Sequence, residues 1–315
     1  MPAPKAHEMS QIQHVAVIGA GTVGASWAAY FLAHGLDVTV SDPLPAAAEF
    51  VRRTIATAWP SLQQIGLAPD ASPDRVRFVR DPCAAVEGAE FVQESGPENE
   101  ELKIELFARL DAALPSETIV ASSSSGLLMS RIQSRCVHPW RCVIGHPFNP
   151  PHLMPLVEVV GGSLTSPDAI ARAMTFYRAI GKFPIHVRTE LRGHIANRLQ
   201  AALWREAIHL VDTGVASVAD VDAAVAYGPG LRWAIMGPSL TFHLGGGEGG
   251  MAHFMEHLAG PTQSWWDDLG TPRLTPEVQQ KIIAGVLEEA GDRSIADLAR
   301  ARDAALVRIR TALGR

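Results

Sequence analysis

Through the first 190 residues of the chain, stretches with the hydrophobic pattern of β-strands alternate with stretches that have the pattern of α-helices. Short apolar runs rich in β-branched residues indicate strands, and the Ala-rich or amphipathic stretches between them indicate helices. The predicted strands are 14–19, 37–41, 76–79, 90–94, 118–121, 141–145, 155–160 and 183–187, and the predicted helices among them include 22–34, 45–58, 100–113 and 167–180. This alternation predicts an α/β fold with a doubly wound, mostly parallel sheet that carries helices on both faces.

The pattern changes near residue 190, and only helical spacing follows. Residues 192–214 predict a long helix that ends at Gly214, a residue type suited to a helix C-terminus. Ser217 stands at the N-cap position of the next predicted helix. Residues 275–289 and 294–313 predict two more helices, so the second part of the chain is expected to be all-α.

The length of 315 residues exceeds one ordinary compact core and favours about two domains. The change of pattern predicts an α/β domain over residues 1–190 and an all-helical domain over residues 191–315. At the start, residues 1–13 lack the apolar core of a secretory signal, and we expect them to form a disordered lead-in.

Charge and cysteine content exclude several classes of partner. A net charge of −6 argues against an extended nucleic-acid surface, and only four lysines leave no polybasic patch for an anionic membrane. No apolar run reaches the roughly 18 residues needed to span a bilayer. The three cysteines are an odd number without Cys-x-x-Cys spacing, which argues against disulfides and a zinc site and favours a reducing compartment. We therefore expect a soluble cytoplasmic protein with no metal.

The most specific stretch is HVAVIGAGTVGASWAAYFLAHGLDVTVSDP, in which three glycines follow a strand directly and open a helix. Gly19 would make the tight turn, Gly21 would let the backbone approach a pyrophosphate, and Gly24 would let helix and strand pack closely. The helix N-terminus would supply N–H groups to the phosphates. The predicted cofactor-binding residues of this turn are Gly19, Ala20, Gly21, Thr22, Val23 and Gly24.

The second strand ends in Asp42, at the position where a dinucleotide-binding domain carries an acid for the ribose hydroxyls. Its charge would repel a 2′-phosphate, and Pro43 follows with no adjacent arginine. We therefore predict a Rossmann-type domain that binds NAD rather than NADP, with FAD as a weaker alternative.

Two ionisable residues lie in apolar surroundings in the stretch IGHPFNPPHLMPLVEVV. His146 ends one hydrophobic run and Glu158 lies inside the next, although burial of an unpaired charge is unfavourable. A dehydrogenase needs a base for the hydroxyl proton, and a carboxylate on the second ring nitrogen would orient a histidine for that task. Spacing alone leaves open whether the two residues pair or are unrelated.

The chain resembles the L-3-hydroxyacyl-CoA dehydrogenase family along nearly its full length. The matching stretches are VIGAGTVG, ESGPENEELK, VASSSSGL, HPFNPPHLMPLVEVVGG, GHIANRL and MGP. The resemblance implies that His146 and Glu158 form a catalytic dyad, that Ser125 contacts both substrate and nicotinamide, and that Asn197 holds the substrate. It also implies cofactor contacts at Glu98, Lys103, Ser125 and Asn149.

The serine turn departs from the family pattern, which typically reads Ser-Asn-Thr-Ser-Ser in the CoA-type enzymes. Here it reads Ser122-Ser123-Ser124-Ser125-Gly126. Ser123 and Ser124 therefore stand as alternatives to Ser125. The resemblance further implies that the helical domain forms the subunit interface of a homodimer.

The substrate is expected to be a small free 3-hydroxy acid. Residues 43–75 contain no lysine, whereas the CoA-using relatives carry a lysine-rich surface in this region. Arg232 could grip a carboxylate bidentately, and Trp233 could add cation–π contact.

The segments GLRWAIMGP and GGEGGM resemble the carnitine 3-dehydrogenase branch, and the lambda-crystallin/L-gulonate 3-dehydrogenase branch is similar to a lesser degree. L-Carnitine is the first expected substrate, followed by L-gulonate and L-3-hydroxybutyrate. A 3-hydroxyacyl-CoA dehydrogenase is the enzymatic alternative. A crystallin-like structural protein that binds NAD is the alternative from another class.

Overall fold

The computed structural model describes residues 12–314, so most of the predicted lead-in lies outside the described residues. One eight-stranded sheet has the order β3-β2-β1-β4-β5-β6-β7-β8. Its strands are β1 His14–Ile18, β2 Asp37–Ser41, β3 Val76–Val79, β4 Phe91–Glu94, β5 Ile119–Ser122, β6 Cys142–Pro147, β7 Leu156–Gly161 and β8 Phe183–Val187. Every predicted strand is present, and the doubly wound α/β fold is confirmed.

All neighbouring strands are parallel except β6 and β7, which pair antiparallel. An antiparallel pair places residues directly opposite one another across the ladder. In this register His146 on β6 faces Glu158 on β7. The sheet itself therefore brings the two ionisable residues of the apolar runs together.

The helices are α1 Thr22–Ala33, α2 Ala47–Ile65, α3 Pro82–Ala85, α4 Glu100–Ala113, α5 Met129–Ile132, α6 Pro167–Ala179, α7 Ala196–Asp212, α8 Val218–Tyr227, α9 Pro229–Trp233, α10 Pro238–Gly245, α11 Gly250–Asp268, α12 Pro276–Ala290 and α13 Ile295–Leu313. The helix predicted over 45–58 continues through Pro60 to Ile65. Within residues 12–314, no helix has the length and apolar character to cross a membrane.

The sheet is buried between two apolar layers. Val15 and Val17 of β1 face a cluster that contains the buried side chains of α1 and α6, whereas Ala16 and Ile18 face a cluster with those of α4 and α5. This alternation is what a strand with two covered faces requires. Trp27 of α1 is fully buried and stacks on Phe31, with ring centroids 5.0 Å apart.

The chain divides into two compact units. The first extends to Asn197 and includes the stretch from Arg302 onward, and the second comprises Arg198–Ala301. All eight strands belong to the first unit, and the second unit contains only helices. The domain division at residues 190 and 191 stays a prediction.

A buried ion pair fixes the start of β6, the strand that carries His146. The Arg141 guanidinium donates to Asp111 Oδ1 at 2.5 Å, and both side chains are 1% exposed. Asp111 Oδ2 also accepts the backbone N–H groups of Val137 and His138 at 2.6 and 3.0 Å. Burial acts to raise the pKa of Asp111, but the hydrogen bonds from Arg141 and this backbone outweigh it and hold the pKa below its usual value.

We expect Arg141→Met to lower the free energy of unfolding by about 3–5 kcal/mol, because the buried Asp111 carboxylate would lose the guanidinium that pairs with it. Unfolding by denaturant, followed for the wild-type and variant proteins, would measure this difference in free energy. Arg109 pairs with Asp81 at the surface, so Arg109→Met is the matched control and should cost less than about 1 kcal/mol. Equal losses in the two variants would contradict the assigned role of the buried pair.

Candidate active site

The β6–β7 ladder forms the centre of the candidate site. His146 Nδ1 lies 2.9 Å from Glu158 Oε2, and the two residues are 5% and 0% exposed. A carboxylate can only accept hydrogen bonds, so Nδ1 carries a proton and donates a hydrogen bond to Glu158. In the neutral form of the ring this leaves the lone pair on Nε2, where it can accept a proton from a substrate.

The second oxygen of Glu158 is held by the backbone at the start of α7. Ile195 and Ala196 donate their N–H groups to Oε1 at 2.9 and 3.0 Å. Burial acts to raise the pKa of Glu158, but the hydrogen bonds from His146, Ala196 and Ile195 outweigh it and hold the pKa below its usual value. Glu158 is consequently a carboxylate at neutral pH, as an orienting partner for a base must be.

Glu98 organises the serine turn that follows β5. Its Oε1 accepts the Ser124 hydroxyl at 2.7 Å and the N–H groups of Ser125 and Gly126 at 3.0 and 2.9 Å. Burial acts to raise the pKa of Glu98, and these hydrogen bonds outweigh it and lower the pKa. The hydrogen bonds of Glu98 to the serine turn are seen in the structure. Its contact with the cofactor stays a prediction.

The serines of the turn have different surroundings. The Ser122 hydroxyl donates to Glu94 at 2.6 Å, the Ser123 hydroxyl lies 2.8 Å from the side chains of Gln93 and Ser95, and the Ser124 hydroxyl is committed to Glu98.

Ser125 is the exposed member of the turn, and its hydroxyl lies 3.4 Å from Glu98. Asn197 donates its side-chain N–H to the Ser125 carbonyl at 3.4 Å. The structure thus brings Ser125 and Asn197 together, two of the four predicted substrate-binding residues. The contact of Ser125 with the substrate stays a prediction.

Lys103, a predicted cofactor contact, lies in a buried ion pair. Its Nζ donates to both oxygens of Glu94, at 2.6 and 2.9 Å, and the two side chains are 2% and 0% exposed. Glu94 also accepts the Gly96 N–H at 2.6 Å. Sequence reasoning missed Glu94, although its position at the end of β4, nine residues before Lys103, was the available signal. The cofactor contact of Lys103 stays a prediction.

The glycine turn after β1 has the shape that a dinucleotide requires. Gly19 has φ 99°, and a Cβ on Gly24 would lie 1.9 Å from the Gly19 carbonyl oxygen, so neither position accepts a side chain without rearrangement. A Cβ on Gly21 would meet open space. Within residues 12–314 no side chain caps the N-terminus of α1, so its first N–H groups are available to an anion.

Asp42 closes this turn from the end of β2. Its Oδ2 accepts the Ala20 N–H at 2.9 Å, and its Oδ1 accepts the Leu44 N–H at 2.9 Å. The open space over Gly21, the uncapped helix and this carboxylate together fit the pyrophosphate and ribose of NAD. Thr22 and Val23 form the first turn of α1.

Asn149 is exposed in the loop between β6 and β7, before a cis peptide bond to Pro150. The loop is tied to α1 by His152, whose Nδ1 lies 2.8 Å from the Ser26 hydroxyl. Burial lowers the pKa of His152 to about 4, so the residue is neutral at physiological pH. The contact of Asn149 with the cofactor stays a prediction.

Arg232 and Trp233 lie in the second unit, on the short helix α9, and both are exposed. Their part in substrate binding stays a prediction.

Comparisons with known proteins agree with the fold and with the nature of the cofactor. The sequence model described as "3-hydroxyacyl-CoA dehydrogenase, NAD binding domain" matches residues 14–190, and the C-terminal domain model of the same family matches residues 193–287. The chain is 51% identical to an L-carnitine dehydrogenase of Streptomyces griseus over 313 residues, which is 99% of this chain and 93% of that protein. It is 48% identical to an L-carnitine dehydrogenase of Pseudomonas putida over 96% of this chain and 94% of that protein.

Solved structures show the same fold. The crystal structure of 5-formyl-3-hydroxy-2-methylpyridine 4-carboxylic acid 5-dehydrogenase, an NAD⁺-dependent dismutase, gives a TM-score of 0.83 at 30% identity and covers 96% of this chain and 99% of that chain. An (S)-3-hydroxybutyryl-CoA dehydrogenase from Ralstonia eutropha gives a TM-score of 0.63 at 26% identity and covers 70% of this chain and 78% of that chain.

The fold, the dinucleotide turn and these relatives together identify an NAD-dependent dehydrogenase, an oxidoreductase that acts on a CH–OH group. The chain belongs to the 3-hydroxyacyl-CoA dehydrogenase family, and the predicted family and cofactor are confirmed.

We expect Asp42→Ala to weaken NAD binding by roughly 10- to 100-fold, because hydrogen bonds to a charged group are worth about 1.5–3 kcal/mol. The ratio of NAD affinity to NADP affinity should fall as well, since the repulsion of a 2′-phosphate disappears. Quenching of protein fluorescence by each cofactor would measure both. Asp37→Ala, at the start of the same strand, should change neither value, and an unchanged ratio in Asp42→Ala would rule out the ribose contact.

Proposed function

We propose that this protein oxidises the 3-hydroxyl of L-carnitine to the 3-keto acid with NAD, and that His146 is the base. The 2.9 Å hydrogen bond between His146 Nδ1 and Glu158 Oε2 supports the proposal most strongly, because it leaves Nε2 as a proton acceptor. The two L-carnitine dehydrogenases reported above support the choice of substrate. L-Gulonate and L-3-hydroxybutyrate are the next candidates.

The residues would divide the reaction as follows. His146 Nε2 takes the proton of the 3-hydroxyl, and the Glu158 carboxylate stabilises the imidazolium that results. Ser125 and Asn197 donate hydrogen bonds to the substrate oxygen and hold the carbon in position. NAD, when bound by the turn at 19–24 with Asp42, supplies the hydride acceptor for C3. Glu98 keeps the serine turn in place through its hydrogen bonds.

The charged groups of the chain favour a free acid over a CoA thioester. Residues 43–75 contain no lysine, and Arg75 is already paired with Asp37 at 2.8 Å. The phosphate groups of a CoA thioester would therefore have few cationic side chains to bind in residues 43–75. Arg232 is proposed to bind the substrate carboxylate, and Trp233 to face the trimethylammonium group by cation–π contact.

NADH formation, followed by absorbance over L-carnitine, L-gulonate, L-3-hydroxybutyrate and 3-hydroxybutyryl-CoA, tests the proposal. We expect kcat/KM to be highest with L-carnitine. Preference for the CoA thioester would replace the proposal with an acyl-CoA dehydrogenase. Absence of NADH with all four compounds, despite NAD binding, would favour the structural, crystallin-like alternative.

We expect Arg232→Met to raise KM for L-carnitine by roughly 10-fold or more while kcat changes little, because a charge-assisted pair with a carboxylate is worth about 1.5–3 kcal/mol. Steady-state kinetics would separate the two constants. Arg205→Met, on α7 of the same unit, is the matched control and should leave KM unchanged. An unchanged KM in Arg232→Met would remove Arg232 from the binding site.

We also propose that the protein is a homodimer through its helical unit and acts in the cytoplasm. Large apolar side chains are exposed on that unit, which is unusual for a surface that meets only water. They include Leu199, Trp204, Leu231, Leu240, Leu244 and Met255. Light scattering after size-exclusion chromatography should give twice the 33.8 kDa of one chain, and the monomer mass would contradict the proposal. The three cysteines are free thiols, as a reducing compartment would keep them.

A further inference from the structure

His194 combines unusual features beside the candidate dyad. It is 1% exposed, and its ring contacts the His146 ring at a tilt of 49°, with centroids 5.2 Å apart. Among residues 12–314 it is the one non-glycine residue with positive φ, at 47°. A non-glycine residue in the left-handed region carries a conformational cost that surrounding contacts must offset.

The side chain of His194 makes a single hydrogen bond. Its Nε2 lies 3.1 Å from the Ser124 carbonyl oxygen, which can only accept, so Nε2 carries the proton. Nδ1 is then an unprotonated acceptor, and it is buried with no hydrogen-bond partner among the described residues. Burial lowers the pKa of His194, which keeps the ring neutral beside His146. An unsatisfied buried nitrogen is rare in a folded protein and calls for a reason.

The backbone turn at His194 directs the N–H groups of Ile195 and Ala196 toward Glu158. Gly193, with φ 77°, and His194 turn the chain in successive left-handed conformations, and the next two N–H groups both reach Glu158 Oε1. Successive backbone N–H groups arranged in this way form a concave anion site. The same residue therefore contacts the serine turn by its side chain and supports the dyad carboxylate by its backbone.

We infer that His194 is a positioning residue, which holds the serine turn in register with the His146–Glu158 pair. The inference rests on the proposed function, because it assigns His194 to the geometry of that reaction. The hydrogen bond to the Ser124 carbonyl locates the adjacent Ser125, and the turn at Gly193 and His194 locates Glu158. Without the side-chain bond, the hydroxyl of Ser125 and the imidazole of His146 would no longer be held at a fixed separation.

The pair His194→Phe and His194→Gln tests the side-chain contact. Phenylalanine fills the ring volume without a donor, whereas glutamine retains an N–H that can reach the Ser124 carbonyl. We expect kcat for L-carnitine oxidation to fall by roughly 10- to 100-fold in His194→Phe, since small misplacements of reacting groups have effects of this size. His194→Gln should recover most of that loss, and the affinity for NAD should be near the wild-type value in both variants.

His194→Gly separates backbone from side chain, because glycine adopts the positive φ freely. We expect its kcat to match that of His194→Phe, although the cavity left by the buried ring should give His194→Gly the lower thermal unfolding temperature. Equal losses of kcat in the Phe and Gln variants, or losses that follow the unfolding temperature, would show a merely structural role and overturn the inference.

A readout without turnover keeps this test separate from the proposed function. The proton on His146 Nδ1, shared with Glu158, should give a low-field NMR resonance in the wild-type protein and in His194→Gln. In His194→Phe we expect that resonance to shift or broaden. If the wild-type protein oxidised none of the four test compounds, the proposed function would fail. The resonance would still decide the role of His194, and an unaltered signal in His194→Phe would refute it.

Discussion

Replacement of His146 by alanine is expected to lower kcat for L-carnitine oxidation by about 10³- to 10⁴-fold, the upper range for loss of a positioned general base. Nε2 of His146 is the proton acceptor that the Glu158 contact leaves available. The glycine turn lies between β1 and α1 and Asp42 follows β2, away from β6, so NAD affinity should remain within about threefold of wild type. NADH absorbance would measure turnover, and fluorescence titration would measure NAD binding.

His186→Ala is the matched control for this variant. His186 lies on β8 of the same sheet and is exposed, so its loss should leave turnover unchanged. Substantial turnover in His146→Ala would exclude His146 as the base. Parallel loss of turnover and NAD binding would point instead to a general disturbance of the fold.

Glu158→Gln is expected to lower kcat by about 10³- to 10⁴-fold, as replacement of an orienting carboxylate by its amide does when the wrong tautomer results. The backbone N–H groups of Ile195 and Ala196 would donate to the single oxygen of the glutamine amide. The amide NH₂ would then face His146 Nδ1, which must accept rather than donate. The proton would move to Nε2, and the imidazole could no longer accept one from the substrate.

The pH dependence of stability provides a second readout of the same variant. The pKa of Glu158 is held below its ordinary value, so its carboxylate stabilises the fold above about pH 4.3 and loses that effect as the pH falls through the lowered pKa. Glu158→Gln should remove this part of the acid dependence in denaturant unfolding. Glu87→Gln, at an exposed position, should preserve both activity and acid dependence. Wild-type kinetics in Glu158→Gln would contradict the dyad.

Local patterns predicted most of the sheet and the dinucleotide turn. Strands with both faces buried appear as continuous apolar runs, and the glycines at 19, 21 and 24 are required by backbone geometry within a few residues of one another. The spacing of Glu158 and His146 in the sequence does not determine whether the two residues meet. Their contact follows from the antiparallel register of β6 and β7, which places them opposite each other.

Other features depend on contacts between distant parts of the chain. The helix predicted over 45–58 continues to Ile65 as α2, although its interior contains Pro60 and proline disfavours a helix interior. No helix is predicted for the residues of α11, because glycines precede it and Pro261 lies inside it. The contact of His194 with Ser124 joins residues separated by 70 positions, and no local pattern indicates it.

A crystal structure of Glu158→Gln with NAD and L-carnitine bound would test the central claim most directly, because this slow variant retains the imidazole. We expect the 3-hydroxyl oxygen within about 3.2 Å of His146 Nε2, in hydrogen-bond reach, with C3 facing the nicotinamide. A substrate hydroxyl held by other groups, with His146 turned away from it, would contradict the assignment of His146 as the base.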